Sequence, residues 1–234
     1  MQQYSNQPFT LLSDLLNLFY PRVCGGCDNH LRKQEKQLCL KCLHGLPKTY
    51  FWDYKVNPIE QLFWGRLNVS SGCSFLHFEK EGVVQQLMHR FKYENKTTIG
   101  VELGSIFGLI LKEKNWFTDA DLIVPIPLHP TKELRRGYNQ SRYVANGMAE
   151  AFDLPVKPNA LQRVVASESQ TNKSRYERSE NVEQVFTAEH NSFKGKNVLL
   201  VDDIVTTGAT LEAAGKVILD SGADRLYVAT LACA

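Results

Sequence analysis

The stretch Val198-Leu199-Leu200-Val201-Asp202-Asp203-Ile204-Val205-Thr206-Thr207-Gly208-Ala209-Thr210 constrains the fold of this chain more than any other. Its opening run of four apolar residues, with no alternation, predicts a strand covered on both faces, and such strands belong to parallel sheets flanked by helices. The run passes directly into two acids and a hydroxyl-rich turn that opens a helix. At the carboxyl end of a parallel strand, the N–H groups of the turn and the first helical residues converge on one point, where a phosphate can be held. Thr206, Thr207 and Thr210 add hydroxyl donors, Ala209 adds its N–H, and Gly208 lets the backbone close around the anion. Carboxylates repel a phosphate, so Asp202 and Asp203 are expected to serve what lies beside it: vicinal sugar hydroxyls or a hydrated Mg²⁺. Together these residues predict a ribose-phosphate site. The competing reading makes the acids solvated helix-entry residues and the threonines caps. The chain has neither a G-x-G-x-x-G after a strand nor a Walker loop, which removes the glycine-rich alternatives.

The rest of the chain reads as alternating strands and helices from Ser70 onward. A short strand is expected around Cys73 to Phe78. Helical stripes follow on Val84, Leu87, Met88 and Phe91, then on Leu103, Ile106, Phe107, Ile110 and Leu111. Leu122 to Ile126 reads as a buried strand, Val144, Met148 and Ala151 as a helix face, Ala209 to Asp220 as a helix stopped by Gly222, and Leu226 to Leu231 as the last strand. The fold class is therefore α/β, with a central parallel sheet flanked by helices. Residues 163–186 are polar and lack apolar periodicity, which inside a compact α/β domain marks a functional or disordered loop.

Ahead of this pattern, Cys24, Cys27, Cys39 and Cys42 form C-x2-C-x11-C-x2-C. Each C-x2-C turn can present two thiolates to one ion, Gly25 and Gly26 are expected to free the backbone of the first turn, and four thiolates close a tetrahedral shell. Structural zinc is the expectation, with an iron–sulfur cluster as its rival; His30 and His44 are not needed by a full cysteine shell. Cys73 and Cys233 sit in apolar strands and read as core thiols. Leu12, Leu15, Leu16 and Phe19 predict a short amphipathic helix at the start. The boundary is placed near residue 60: a helix and four-cysteine zinc module in 1–59, and the α/β domain in 60–234.

Composition excludes broad alternatives. The 234 residues are 43% hydrophobic and 22% charged, within the globular range. A net charge of +2 gives no general affinity for nucleic acid or membrane, so any basic site must be local. The first twenty residues lack a cationic start, and Asp14 interrupts the apolar stretch Leu11 to Phe19, so neither a secretory signal nor membrane insertion is expected and the cytoplasm is the expected location.

The Asp-Asp-x-x-Thr-Thr-Gly-x-Thr string resembles the ribose-phosphate signature of type I phosphoribosyltransferases. Joined to the four-cysteine module, it makes nearly the whole chain resemble the ComF family of bacterial competence-related, amidophosphoribosyltransferase-like proteins. The resemblance also covers the helix around Leu87 to Tyr93, the segment Val124-Pro125-Ile126-Pro127-Leu128-His129-Pro130, then Arg135-Arg136-Gly137-Tyr138-Asn139-Gln140, and Arg163, Gln170, Thr171, Arg175, Arg178, Asn181 and Phe186. It implies a type I phosphoribosyltransferase-like fold that binds phosphoribosyl diphosphate (PRPP) with Mg²⁺. Asp202 and Asp203 would hold the ribose hydroxyls, and Thr206 to Thr210 the 5-phosphate. A loop from Leu128 to Gly137 would hold the diphosphate, with Lys132, Arg135 and Arg136 as partners or as a solvated basic patch. Ser169 to Arg178 resembles the flexible loop that closes over the site. Its Lys173 and Arg175 would stabilise the departing diphosphate in the reaction, or remain solvated charges.

Two functions follow from the resemblance. The first is transfer of phosphoribose from PRPP to a nitrogen nucleophile that the sequence does not identify. The second is PRPP binding without turnover, in a protein that handles single-stranded DNA during DNA uptake and natural transformation. A basic strip of Arg32, Lys33, Lys36 and Lys41 beside Tyr50, Phe51 and Trp52 could bind single strands by charge and stacking, against its plainer reading as a solvated face and a packed linker.

Overall fold

The computed structural model describes residues 21–164 and 185–234; the helix expected in residues 1–20, and Lys173 and Arg175 with their loop, lie outside the described residues. The cysteine segment comes first and ends in α1, Leu40–His44, whose N-cap Cys39 accepts from the Cys42 N–H. Pro47 to Thr49 then runs along one edge of the sheet: Lys48 pairs with Leu76, and the Thr49 N–H donates to the Phe75 carbonyl at 3.0 Å. This covers an edge strand that would otherwise expose unpaired backbone groups. A 3-10 turn at Phe51–Asp53 and the short helix α2, Pro58–Gln61, complete the lead-in.

The remaining elements are β1 Ser71–His77, α3 Val83–Tyr93, α4 Thr97–Glu113, β2 Leu122–Pro125, α5 Pro130–Arg136, α6 Gln140–Phe152, a two-residue pair β3 Gln162–Arg163 and β4 Phe186–Thr187, then β5 Asn197–Val205, α7 Ala209–Asp220 and β6 Arg225–Cys233. The main sheet has the order β1-β6-β5-β2 and is parallel throughout. The expected helical stripes are its cover: Val84, Leu87, Met88 and Phe91 of α3, Leu103, Phe107 and Leu111 of α4, and Val144, Met148 and Ala151 of α6 are all buried. The helices α4 and α6 approach closely, because a Cβ on Gly147 would overlap the Val101 carbonyl oxygen and one on Gly104 the Val144 carbonyl oxygen.

Two hydrophobic clusters divide the interior. On one face, Leu199, Val201, Ala229 and Leu231 pack with α3, α4 and α6, and this cluster also takes in Cys24, Leu38, Cys39 and Trp52. On the other, Val198, Leu200, Leu226 and Val228 meet α7, Ile59, Phe63, Phe186 and Phe193. Residues 59 and 60, where the sequence division falls, both belong to α2.

The structure departs from the sequence expectations in three places. Strand β5 does not stop at Val201: its ladder with β6 continues through Asp202↔Thr230 to Val205↔Cys233, because β6 extends to Cys233 and offers partners that far. The acids are thus strand residues, not turn residues. The segment Leu128 to Gly137 is largely helical, because His129 caps α5, Pro130 starts it and Gly137, at φ +83°, closes it. Finally, Gly25 and Gly26 are absent from the residues with positive φ; the left-handed residue of that turn is Asp28 at φ 59°. The glycines supply room instead, since a Cβ would lie 3.0 Å from Ile99 Cδ1 at position 25 and 3.1 Å from Cys42 Sγ at position 26.

Candidate functional site

The carboxyl ends of β2 and β5 lie at one edge of the parallel sheet, with Pro125 registered to Val201. From that edge β5 turns through Thr206 and Thr207 into α7. Gly208 caps the helix at φ +76°, a conformation that costs a residue with a side chain. A Cβ there would also lie 3.2 Å from the Phe63 ring. A small cavity of about 50 Å³ opens here, and its lining is Asp202 together with every residue from Ile204 to Leu211. Thr206, Thr207, Ala209 and Thr210 are exposed at its surface while Gly208 is buried.

The two acids have different surroundings. Oδ1 of Asp202 accepts from the Ser141 hydroxyl at 2.8 Å and from the Asp203 N–H at 2.8 Å. Burial, followed by the charge of Asp203, pushes the Asp202 carboxyl up to about 7; the bonds from Ser141 and the backbone and the charge of Lys92 act against this rise. Asp203 is buried and pairs through Oδ2 with the Lys92 ammonium at 2.7 Å. Ser141 reaches its place because Asn139 caps α6, accepting from the Ser141 N–H at 3.1 Å and donating to the Ile126 carbonyl at 2.9 Å. The turn is braced from outside by Arg66, which donates to the Thr207 carbonyl at 3.1 Å and forms an ion pair with Glu212 in the first turn of α7.

The structure thus gathers Asp202 and Thr206 to Thr210 around one cavity, whereas Asp203, next along β5, is buried against Lys92 and does not line it. Lys132 and Arg135 are exposed on α5, and Arg136 is half-buried, bonded to Gln140 and 5.4 Å from the centre of the Tyr93 ring. Lys92, Ser141 and Arg66 were not singled out from sequence. Ser141 directly follows the Asn139-Gln140 pair and Lys92 lies in the Leu87 to Tyr93 helix, but neither carries a local sign that it will meet an acid more than sixty residues away. In the basic strip Arg32, Lys33, Lys36, Lys41 and Tyr50 are exposed, whereas Trp52 is buried against Phe75 and Phe107 and cannot stack on a base, as the reading of a solvated face beside a packed linker expects.

The ligating sulfurs of Cys24, Cys27, Cys39 and Cys42 all lie within 4.8 Å of one another, so this cluster can hold a metal ion. The Cys27 and Cys39 sulfurs are 3.7 Å apart, close to the ~3.8 Å edge of a tetrahedron with zinc–sulfur bonds of about 2.3 Å. Burial raises the Cys24 thiol, yet N–H groups of Cys39, Gly26 and Cys27 outweigh it and bring it down to about 7, which favours a thiolate ligand. Arg90 of α3 ties the first turn to the sheet domain through two bonds to Asp28, at 2.8 and 2.7 Å. Cys73 is fully buried, and Cys233, half-buried, donates to the Leu76 carbonyl at 3.6 Å. Among the described residues no helix is long and apolar enough to cross a membrane.

The family model described as the phosphoribosyl transferase domain matches residues 139–233. Competence protein F of Haemophilus influenzae is 31% identical over 216 residues, covering 90% of each chain. Competence protein ComFC of Bacillus subtilis is 28% identical over 213 residues, 86% of this chain and 79% of the relative. DNA utilization protein YhgH of Escherichia coli K12 is 26% identical over 214 residues, 88% of both.

Proposed function

This chain belongs to the competence protein F (ComF) family, and we propose that it recognises PRPP at the carboxyl edge of its sheet. The observation that carries this reading is the cavity lined by Asp202 and residues 204–211. There, N–H groups at the start of α7 and the hydroxyls of Thr206, Thr207 and Thr210 would donate to the 5-phosphate, with the helix N-terminus adding favourable charge. Asp202 and Asp203 would accept from the ribose hydroxyls. Lys132, Arg135 and Arg136 leave the same edge after β2 and would partner the diphosphate. Mg²⁺, when bound with PRPP, would neutralise part of the diphosphate charge, and Asp202 and Asp203 would accompany it beside the sugar hydroxyls.

The reaction proposed is transfer of phosphoribose from PRPP to a nitrogen nucleophile. Charge would develop on the diphosphate as the C1–oxygen bond breaks, and Lys173 and Arg175 would stabilise it. The test is diphosphate release from PRPP and Mg²⁺ with a panel of bases, amines and ammonia: release that depends on the acceptor and disappears in Asp203→Asn supports the enzyme. A second reading is favoured by the names of the relatives, which concern competence and DNA utilization. In it the chain binds PRPP without turnover and acts in single-stranded DNA handling; absence of release, with DNA binding that weakens steeply as salt rises, supports that reading.

The cysteine cluster is proposed to hold one structural zinc ion, and the chain to work in the cytoplasm. Residues 1–59 and 60–234 are proposed as two units of sequence, the first stapled by metal and docked on α3 and α4 through Arg90 and Glu102, which accepts from the Gln37 N–H at 2.7 Å.

A further inference from the structure

Lys92 ends an exposed face of α3 but turns its ammonium inward, to 2.7 Å from Oδ2 of Asp203. Its side chain is 20% exposed and that of Asp203 13%. Burying two charges costs more than their attraction returns unless the geometry is good, so a pair of this kind needs a reason beyond stability. The reason is visible in its position. Asp202 and Asp203 are consecutive on β5, and among the described residues Lys92 is the one cation in an ion pair with either of them. It occupies one oxygen of Asp203, while Oδ1 has no hydrogen-bond partner among the described residues.

The two candidate ligands of such a carboxylate respond to the ammonium differently. A sugar hydroxyl is neutral: it can donate to the unoccupied oxygen, and it gains from having that oxygen held still. A bare divalent cation must displace or approach the ammonium, and is repelled by it. We propose that Lys92 is a positioning residue of the ribose site, which clamps Oδ2 of Asp203, presents Oδ1 to the sugar diol, and biases the acid pair toward hydroxyl donors and against direct coordination of a bare divalent cation. This rests on the PRPP reading above, and the test separates the two.

Lys92→Met in the full chain should shift the two affinities in opposite directions. PRPP binding, read by calorimetry with Mg²⁺ held constant, should weaken by about tenfold, the loss of one charge-assisted contact. Mn²⁺ alone, read by electron paramagnetic resonance, should bind at least about threefold more tightly, because a carboxylate oxygen and its charge are released. Lys92→Arg, which keeps the charge, should recover part of the PRPP affinity and return Mn²⁺ binding toward the parent. A merely structural lysine would lower both affinities together or neither. Should Lys92→Met fail to fold, the pair Asp203→Asn and Lys92→Met/Asp203→Asn carries the test: with the acid neutralised, removing the lysine should no longer raise Mn²⁺ affinity by removing competition at Oδ2, and a further large rise overturns the clamp. Unchanged PRPP binding in Lys92→Met, or Mn²⁺ binding that stays level or weakens, also overturns it. A parent chain that does not bind PRPP defeats the proposed function instead, and the Mn²⁺ measurements then decide the clamp alone.

Discussion

The hydroxyl of Ser141, in the first turn of α6, donates to Oδ1 of Asp202 on β5 at 2.8 Å, joining parts of the chain 61 residues apart. Ser141 is itself buried, so this bond is protected from competition by water. It gives the first of the two acids a fixed orientation, as Lys92 does for the second.

Ser141→Ala removes that donor without opening a large cavity. PRPP affinity is expected to fall by about tenfold, as for loss of a hydrogen bond to a charged group, with the melting temperature changed by only a few degrees. Calorimetry beside thermal melting checks this; full affinity in the variant would remove Ser141 from the site.

The raised carboxyl of Asp202 predicts a pH dependence whose sign can be worked out. Folded, it titrates near 7, because of burial first and Asp203 second; unfolded, it returns to the model-peptide range near 3.8. The folded chain therefore holds the proton more tightly, so this group's contribution to stability is complete below about 4 and is lost as pH rises through 7. Urea unfolding of the parent and Asp202→Asn at pH 5 and pH 8 should show a smaller decline in the variant. PRPP binding should go the other way and strengthen from pH 6 to pH 8, as Asp202 becomes a full acceptor.

Gly208→Ala places a side chain at φ +76° and 3.2 Å from Phe63. A destabilisation of about 1 kcal/mol or more is expected from the backbone alone. Because the same residue opens α7 under the cavity, PRPP affinity should fall as well, and calorimetry that finds it undiminished would count against the phosphate role of this turn.

Purified protein should contain one zinc per chain, measured by elemental analysis, and Cys39→Ser should lower both zinc content and melting temperature. Cys24 and Cys39 belong to the cluster that packs on α3 and α4, so losing the ion should loosen the sheet domain's helical cover and not the cysteine segment alone. Stoichiometric iron in place of zinc would overturn the assignment.

Much of this molecule is legible in the order of its residues, and for a local reason. An unbroken apolar run such as Val198 to Val201 can only be buried, a stripe such as Val84, Leu87, Met88 and Phe91 has the helical period, and C-x2-C turns bring two sulfurs together within four residues. Backbone geometry converts these patterns into strand, helix and cysteine cluster with little help from the rest of the chain. The same holds for the proposed ribose-phosphate segment, whose acids, threonines and glycine lie close together in sequence. What surrounds the turn was not legible. Lys92, Ser141 and Arg66 come from three separate elements, and only the packing of α3 and α6 against the sheet, and of the segment after α2 against α7, brings them to Asp203, Asp202 and Thr207. The extension of β5 past its acids likewise depends on β6 running on to Cys233, which pairs with Val205, and the burial of Trp52 depends on Phe75 and Phe107 lying beneath it. Such contacts are selected by shape and charge across tens of residues, and no local pattern encodes them.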